Sequence, residues 1–285
     1  ISSPVFRAEV MDCKIQRDNS DARISEEEKE TIRKKAFEQA KLKISEDFLK
    51  EKGILVEDLV WINLDVIKER IDGYLVKEIK KRKGRVVDVK VLAIFTPRMY
   101  LDRMKRTFEE LELNAVKISH LAEIVSGFGD GIFLDVGGRL TKAFFIIDKA
   151  LDDVRYFERG GYNFSSRISE NFGLEDAAAR QLKEDYSDGK LSPEARGKIK
   201  DIFAPERNAW KAETVDLKRA EIRGASIFFM GGGSLLREIR SVFNEKRIIL
   251  PKNLKKIEFT NKDVAMLPQF VPSLLMALKN GEKNI

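Results

Sequence analysis

Histidine and cysteine are almost absent from this chain: His120 and Cys13 are the only ones in 285 residues. A single cysteine cannot form an internal disulfide, and such sparing use fits a reducing compartment. With one of each, neither a zinc centre of the usual kind nor Cys–His or Ser–His catalysis within the chain is expected. His120, between Ser119 and Leu121, reads as a packed or surface histidine. Long apolar runs are missing as well; none approaches the ~20 residues that a membrane-spanning helix needs. The opening Ile1-Ser2-Ser3-Pro4 has none of the features of a secretory signal, and without an initial methionine a processed or trimmed start is expected. Two common phosphate-binding signatures are also lacking. No Gly-x-x-x-x-Gly-Lys-Ser/Thr loop occurs, and the one Asp-x-Gly-Gly run is followed by a second strand where a dinucleotide fold places a helix.

What is present is enough to fold. Hydrophobic residues make up 43% and charged residues 35%, which implies a buried core with well-solvated helix faces. The net charge of +6 is mild for this length and is compatible with anionic partners. Residues 5–17 read as a strand. Ser25 followed by Glu28 signals a helix start, Ile32, Ala36, Ala40 and Ile44 recur at helical spacing, and Gly53 suits the helix end. Ser45 is read as the cap of a continuation. Leu59–Leu64 and Val86–Phe95 are strand candidates, with Asp72-Gly73 a turn. Thr96-Pro97 reads as cap and first residue of a helix burying Tyr100, Leu101, Met104, Phe108 and Leu111. The basic stretch Lys77–Arg85 has too few aromatics for a nucleic-acid track and reads as a solvated hairpin or loop, so no nucleic acid is expected as a partner.

The most informative feature is a pair of glycine clusters, each ending an apolar run. Ile132–Val136 runs into Gly137-Gly138-Arg139-Leu140-Thr141, and a second strand, Ala143–Ile147, follows. Ile227–Met230 runs into Gly231-Gly232-Gly233-Ser234, and a helical stretch follows. Glycines let backbone N–H groups approach phosphates with no Cβ between. The Thr141 hydroxyl could add to the hairpin's donors, and a helix opening at Ser234 would turn its positive end to the same ligand. Gly160-Gly161 precedes a third helix-like stretch. Ala177–Tyr186 reads as a helix, residues 189–225 as helical segments and loops, and Pro268 to Leu278 as a closing loop and helix.

In this serial order the segments resemble the actin/DnaK-type ATPase superfamily and, within it, the FtsA family of bacterial cell-division proteins. The opening strand–helix–strand–strand unit resembles FtsA's inserted subdomain, and Val116–Ser126 its first connecting motif. Leu134–Thr141 resembles the second phosphate motif, and Met230–Leu236 the adenosine motif. Gly160-Gly161 with Ser165 and Ile168, and then Ala179-Arg180-Gln181-Leu182-Lys183, resemble the glycine segment and the helix beside the adenosine. The resemblance implies an α/β, actin-like two-lobed ATPase fold with an inserted small α+β subdomain. The division it implies is 1–97 for the insertion, 98–129 for the rest of the first lobe, 130–250 for the second lobe with a helical part at 161–226, and 251–285 for a closing segment.

The same resemblance implies a nucleotide site, ATP with Mg²⁺, made of Asp135, Gly137, Gly138, Arg139, Leu140, Thr141, Gly160, Gly161, Arg180, Lys183, Gly231, Gly232, Gly233 and Ser234. Asp135 is the one residue through which Mg²⁺ would be held. The family's first phosphate hairpin has no counterpart here. Arg139, Leu140 and Lys142 replace a glycine, a threonine and an acid of the second motif, and Arg180 replaces a glutamate, so slow hydrolysis or none is expected. The implied role is a cytoplasmic, filament-forming division scaffold at the inner face of the cell membrane that recruits FtsZ at the septum. FtsA's C-terminal amphipathic helix has no counterpart before Ile285. PilM of type IV pilus assembly, which binds a peptide from an inner-membrane partner, is the alternative. A weak ATPase of the sugar-kinase or chaperone class stands behind both.

Overall fold

The computed structural model describes residues 5–113, 118–244, 247–254 and 264–281. They belong to two compact units, residues 1–122 and 123–285. Of the first connecting motif, Val116 and Lys117 lie outside the described residues, as does much of 251–285. Among the described residues no helix is long and apolar enough to cross a membrane.

In the N-terminal unit, strand β1 (Arg7–Gln16) leads to helix α1 (Glu26–Lys52), followed by β2 (Leu59–Ile71), β3 (Tyr74–Val76), β4 (Val86–Pro97) and helix α2 (Arg98–Glu110). The four strands form an antiparallel sheet in the order β1-β4-β2-β3. Helix α1 starts where Ser25 Oγ accepts the Glu28 N–H at 3.1 Å, and it ends at Gly53, which is left-handed (φ 67°). Ile32, Ala36 and Ala40 lie along one stripe of α1 and pack against Val87, Val89 and Val91 of the central strand. One turn further on, Ile44 and Phe48 meet Ala93 and Phe95, with the two phenyl rings edge to face at 5.1 Å.

Three local expectations are corrected here. Helix α1 runs unbroken through Ser45, which is fully buried inside it and caps nothing. Thr96 belongs to β4, where its hydroxyl donates to the Val5 carbonyl at 2.9 Å, so Pro97 is itself the residue preceding α2. Of the face anticipated for α2 only Leu101 is buried; Tyr100 and Leu111 are exposed. The short strand β3 has too few residues to show an alternation and went unanticipated. His120 is a packed residue whose Nδ1 accepts the Ala122 N–H at 3.1 Å.

The C-terminal unit opens with a meander, β5 (Gly131–Val136), β6 (Thr141–Ile147) and β7 (Ala150–Phe157). Five helices follow: α3 (Gly161–Phe172), α4 (Asp176–Ser187), α5 (Pro193–Ile202), α6 (Ala204–Glu213) and α7 (Val215–Ile222). Strand β8 (Ile227–Met230), the single-turn helix α8 (Arg237–Arg240), β9 (Arg247–Ile248) and α9 (Val271–Gly281) complete it. The sheet order is β7-β6-β5-β8-β9. Strands β5 and β6 are antiparallel, while β8 enters parallel to β5 with Asp135 opposite Met230. Parallel pairing makes both strands leave the sheet at the same end, which is what brings two glycine clusters far apart in sequence side by side. The helices bury Phe164, Ile168, Phe203 and Trp210 against Leu134, Val136 and Phe229. Strand β7 was missed in the sequence; it returns from β6 through Asp148 and Lys149, both at positive φ (55° and 59°).

Candidate functional site

Three glycine segments meet at the carboxyl ends of β5 and β8. The β5–β6 turn closes with the Gly137 N–H donating to the Leu140 carbonyl at 3.0 Å. Its outer carbonyls do not face solvent. Gly137 O accepts from Gly161 N at 3.0 Å and Gly138 O from Tyr162 N at 2.7 Å, so the turn is bonded to the first residues of α3. Those helix-start donors are orphaned within any helix and here find a partner in the hairpin. Gly160 makes the approach possible, since a Cβ there would stand 2.4 Å from both carbonyl oxygens.

The third segment closes from the other side. Gly231 has φ 83°, and a Cβ on it would lie 2.6 Å from Val136 O and 2.7 Å from Asp135 Oδ1. Gly233 lies as close, its Cβ position being 2.5 Å from Val136 Cγ1 and 3.0 Å from Gly137 O. The loop makes a 3-10 turn, so the helix expected to open at Ser234 starts only at Arg237 and runs for one turn, α8. The longer helix that starts at the site is α3, whose first residues, Gly161 and Tyr162, are bonded to the glycine turn.

The three segments line one cavity of about 700 Å³, closed on its far side by α4. Of the residues singled out in the sequence, Gly137, Gly138, Gly161, Arg180, Lys183, Gly232 and Gly233 line it. The others support it from behind or beside. Thr141 is fully buried, its hydroxyl donating to the Arg159 carbonyl at 2.7 Å, and Ser234 Oγ donates to Gly231 O at 2.7 Å. Neither hydroxyl is offered to a ligand. Leu140 and Gly160 shape the turn, and Gly231 shapes its own loop. Arg139 is exposed, with its guanidinium 4.4 Å from the Tyr162 ring centroid. Tyr162 in turn donates to Asp176 Oδ2 at 3.2 Å, tying the hairpin to α4.

Helix α4 supplies a face that the sequence reading saw only in part. Asp176, Arg180, Lys183, Glu184 and Ser187 fall at helical spacing and all line the cavity. A search of that helix for polar residues at intervals of three and four would have found them. Ser165 of α3, quoted only as part of the glycine segment, lines it too, while Tyr162 and Gln269, near the start of α9, were missed. Lys183 is half-buried and its Nζ lies 3.3 Å from the Gly161 carbonyl. Burial holds its ammonium below the usual lysine range, partly offset by Glu184 and reinforced by Arg180. Arg180 is more exposed and pairs with Glu184 at 2.9 Å.

Behind the glycine turn a clamp fixes its position. Arg159, whose carbonyl holds Thr141, donates to Glu206 at 2.8 Å and to Glu213. Glu206 is almost fully buried, so this pair ties the turn to helix α6 in a low-dielectric setting.

The donor set fits a phosphate-bearing ligand. Among the described residues the N–H groups of Gly138 and Gly232 have no backbone partner, and both glycines are exposed at the cavity. With the Lys183 ammonium they give two neutral donors and one cation. A built-in magnesium centre finds less support. Among the described residues no cluster of three or more His, Cys, Asp or Glu could hold a metal. Asp135, the expected ligand, is buried under Gly231 and stands across the strand pair from the buried Lys142.

No protein-family model matches the chain, and no curated protein matches it in sequence. Among solved structures it is similar to the PilM–PilN type IV pilus biogenesis complex, with 16% identity and a TM-score of 0.64, covering 95% of this chain and 76% of that one. Partial likenesses include Bacillus thuringiensis ParM with ADP, at 15% identity and TM-score 0.38 over 54% of this chain and 47% of that one. MreB 5 of Spiroplasma citri bound to AMPPNP gives 15% identity and TM-score 0.37 over 65% and 68%. The chain has the actin-like ATPase fold.

Proposed function

We propose that this chain is an actin-fold, nucleotide-binding scaffold protein acting in the manner of PilM, with ATP or ADP in the cavity of the C-terminal unit. The observation that carries the nucleotide reading is the convergence of Gly137-Gly138, Gly161 and Gly232-Gly233 on one cavity that also holds Lys183. In this reading the Gly138 and Gly232 amides and the Lys183 ammonium meet the phosphates, and the α4 face meets the nucleoside. A magnesium ion would travel with the phosphates rather than on a protein carboxylate, because Asp135 is committed beneath the glycine loops. Slow turnover or none follows: no carboxylate on the cavity is placed by the β5–β6 turn to orient water, and Lys142 sits where an acid would serve.

The likeness to the PilM–PilN complex over 95% of the chain supports the pilus reading, and an FtsA-like scaffold that recruits FtsZ, which shares the fold, is its rival. Self-association into filaments belongs to the FtsA-like reading, and capture of an inner-membrane peptide to the pilus reading. The deciding experiment offers the intact protein two peptides, the cytoplasmic segment of a PilN-like inner-membrane protein and the FtsZ tail, with and without ATP, alongside a phosphate-release assay. Binding of the first alone, with turnover far below the ~10 s⁻¹ typical of enzymes, is expected. Binding of the FtsZ tail alone would transfer the assignment to cell division, and rapid phosphate release would overturn the scaffold reading.

A further inference from the structure

The β2–β3 turn of the N-terminal unit carries features that nucleotide binding leaves unexplained. Tyr74 is 78% exposed and Leu75 56%, adjacent residues at the tip of the edge strand. The loop that follows presents Lys77, Lys81, Arg82, Lys83 and Arg85, all exposed and, among the described residues, in no ion pair. Neighbouring cations behave differently. Lys80 pairs with Glu26 at 2.5 Å, and Lys29 pairs with both Glu78 and Glu26. The nearby carboxylates are therefore largely consumed inside the fold.

The loop is fixed while its side chains are free. The Asp72 carboxylate accepts the N–H groups of Arg85 at 3.1 Å and Val86 at 2.9 Å. Arg17, whose side chain is buried, donates to Gly84 O at 2.6 Å and to Glu28 at 2.7 Å. Lys81 N donates to Ile24 O and Ile24 N to Arg82 O, strapping the loop to the segment before α1. Lys81 is left-handed (φ 62°), a reversal within the run of four cations Lys80–Lys83. The strapped segment adds exposed Arg23 and two exposed acids, Asp18 and Asp21, so cations remain in clear excess.

We propose that this hairpin tip docks on an anionic phospholipid surface, with Tyr74 and Leu75 entering the headgroup boundary and the loop cations facing the lipid phosphates. Charge complementarity and the exposed apolar pair argue together for a bilayer. A nucleic acid would use the cations but needs a series of stacking aromatics, and Tyr74 is the only aromatic at the tip. The inference stands independently of what fills the cavity of the C-terminal unit.

The test is co-sedimentation of the intact protein with vesicles of phosphatidylcholine alone and with vesicles enriched in phosphatidylglycerol, at low and raised salt. Binding to the anionic vesicles only is expected. Each Lys or Arg near such a surface contributes roughly fivefold to the partition coefficient, so Lys81→Gln/Arg82→Gln/Lys83→Gln should lose on the order of a hundredfold. Tyr74→Ser/Leu75→Ser should keep low-salt binding and lose it at raised salt, where screening leaves only the apolar part. Circular dichroism confirms that both variants fold. Equal binding to both vesicle types, an unchanged triple variant, or tighter binding of a single-stranded oligonucleotide than of anionic vesicles would overturn the proposal.

Discussion

Gly160 stands against Gly137 so closely that a Cβ on Gly160 would be 2.4 Å from the Gly137 carbonyl oxygen. That carbonyl accepts the Gly161 N–H, one of the two hydrogen bonds that join the β5–β6 turn to helix α3. Backbone at this distance cannot yield as a flexible side chain could. Gly160→Ala should therefore destabilise the protein by about 1–3 kcal/mol, as overpacking does, and should weaken nucleotide binding. Gly138→Ala is the control, because a Cβ there meets nothing within 4 Å. Urea unfolding of the two variants should show a loss for the first only.

The third glycine segment makes a similar contrast. Gly231 needs positive φ and has Val136 O where a Cβ would go, whereas at Gly232 the nearest atom, on Gln269, is 3.6 Å away. Gly231→Ala should cost at least about 1–2 kcal/mol of backbone strain. Gly232→Ala should be close to neutral for folding, while Gly232→Val narrows the cavity and should weaken binding with little change in the unfolding midpoint. Thermal unfolding with and without ADP separates the two effects.

Lys183 should reveal itself through protons. Its folded pKa lies below the usual 10.5, chiefly through burial. Between the folded value and 10.5 the unfolded chain binds more protons, so this residue makes stability rise with pH in that window. An anionic ligand restores the charged form. Nucleotide binding at alkaline pH should then take up protons, and affinity should fall as pH rises through the folded pKa. Calorimetry in buffers of different ionisation enthalpy measures the uptake, and Lys183→Met should abolish it.

The Arg159 clamp predicts a non-additive pair. Arg159→Met leaves the buried Glu206 without its cation and should cost about 3 kcal/mol, the lower end for breaking a buried pair. Arg159→Met/Glu206→Met should be more stable than the single variant, since no buried charge is then stranded. Urea midpoints of the two single variants and the double complete the cycle.

The sequence carried the elements whose cues are local. Ser25, Glu28 and Gly53 bounded α1 correctly because caps act within one turn. The two glycine clusters were visible because each ends an apolar run. Their meeting depends on the parallel pairing of β5 with β8, which local pattern suggests only through resemblance to a known fold. Strand β7 was hidden because Asp152, Asp153 and Arg155 interrupt its alternation at the sheet edge. Thr141 and Ser234 looked like ligand donors because a hydroxyl's partner is invisible in sequence; both bond to backbone carbonyls. Gly160 read as half of a pair before a helix. Its contact with two carbonyls twenty-odd residues upstream is a tertiary fact.

The most direct test of the nucleotide site is isothermal titration of the folded, intact protein with ADP and ATP, beside Lys183→Met. Saturable binding of one nucleotide per chain is predicted, weakened at least about tenfold (1.4 kcal/mol) in the variant. A folded protein that binds neither nucleotide, or a Lys183→Met variant that binds as tightly as the parent, would contradict it.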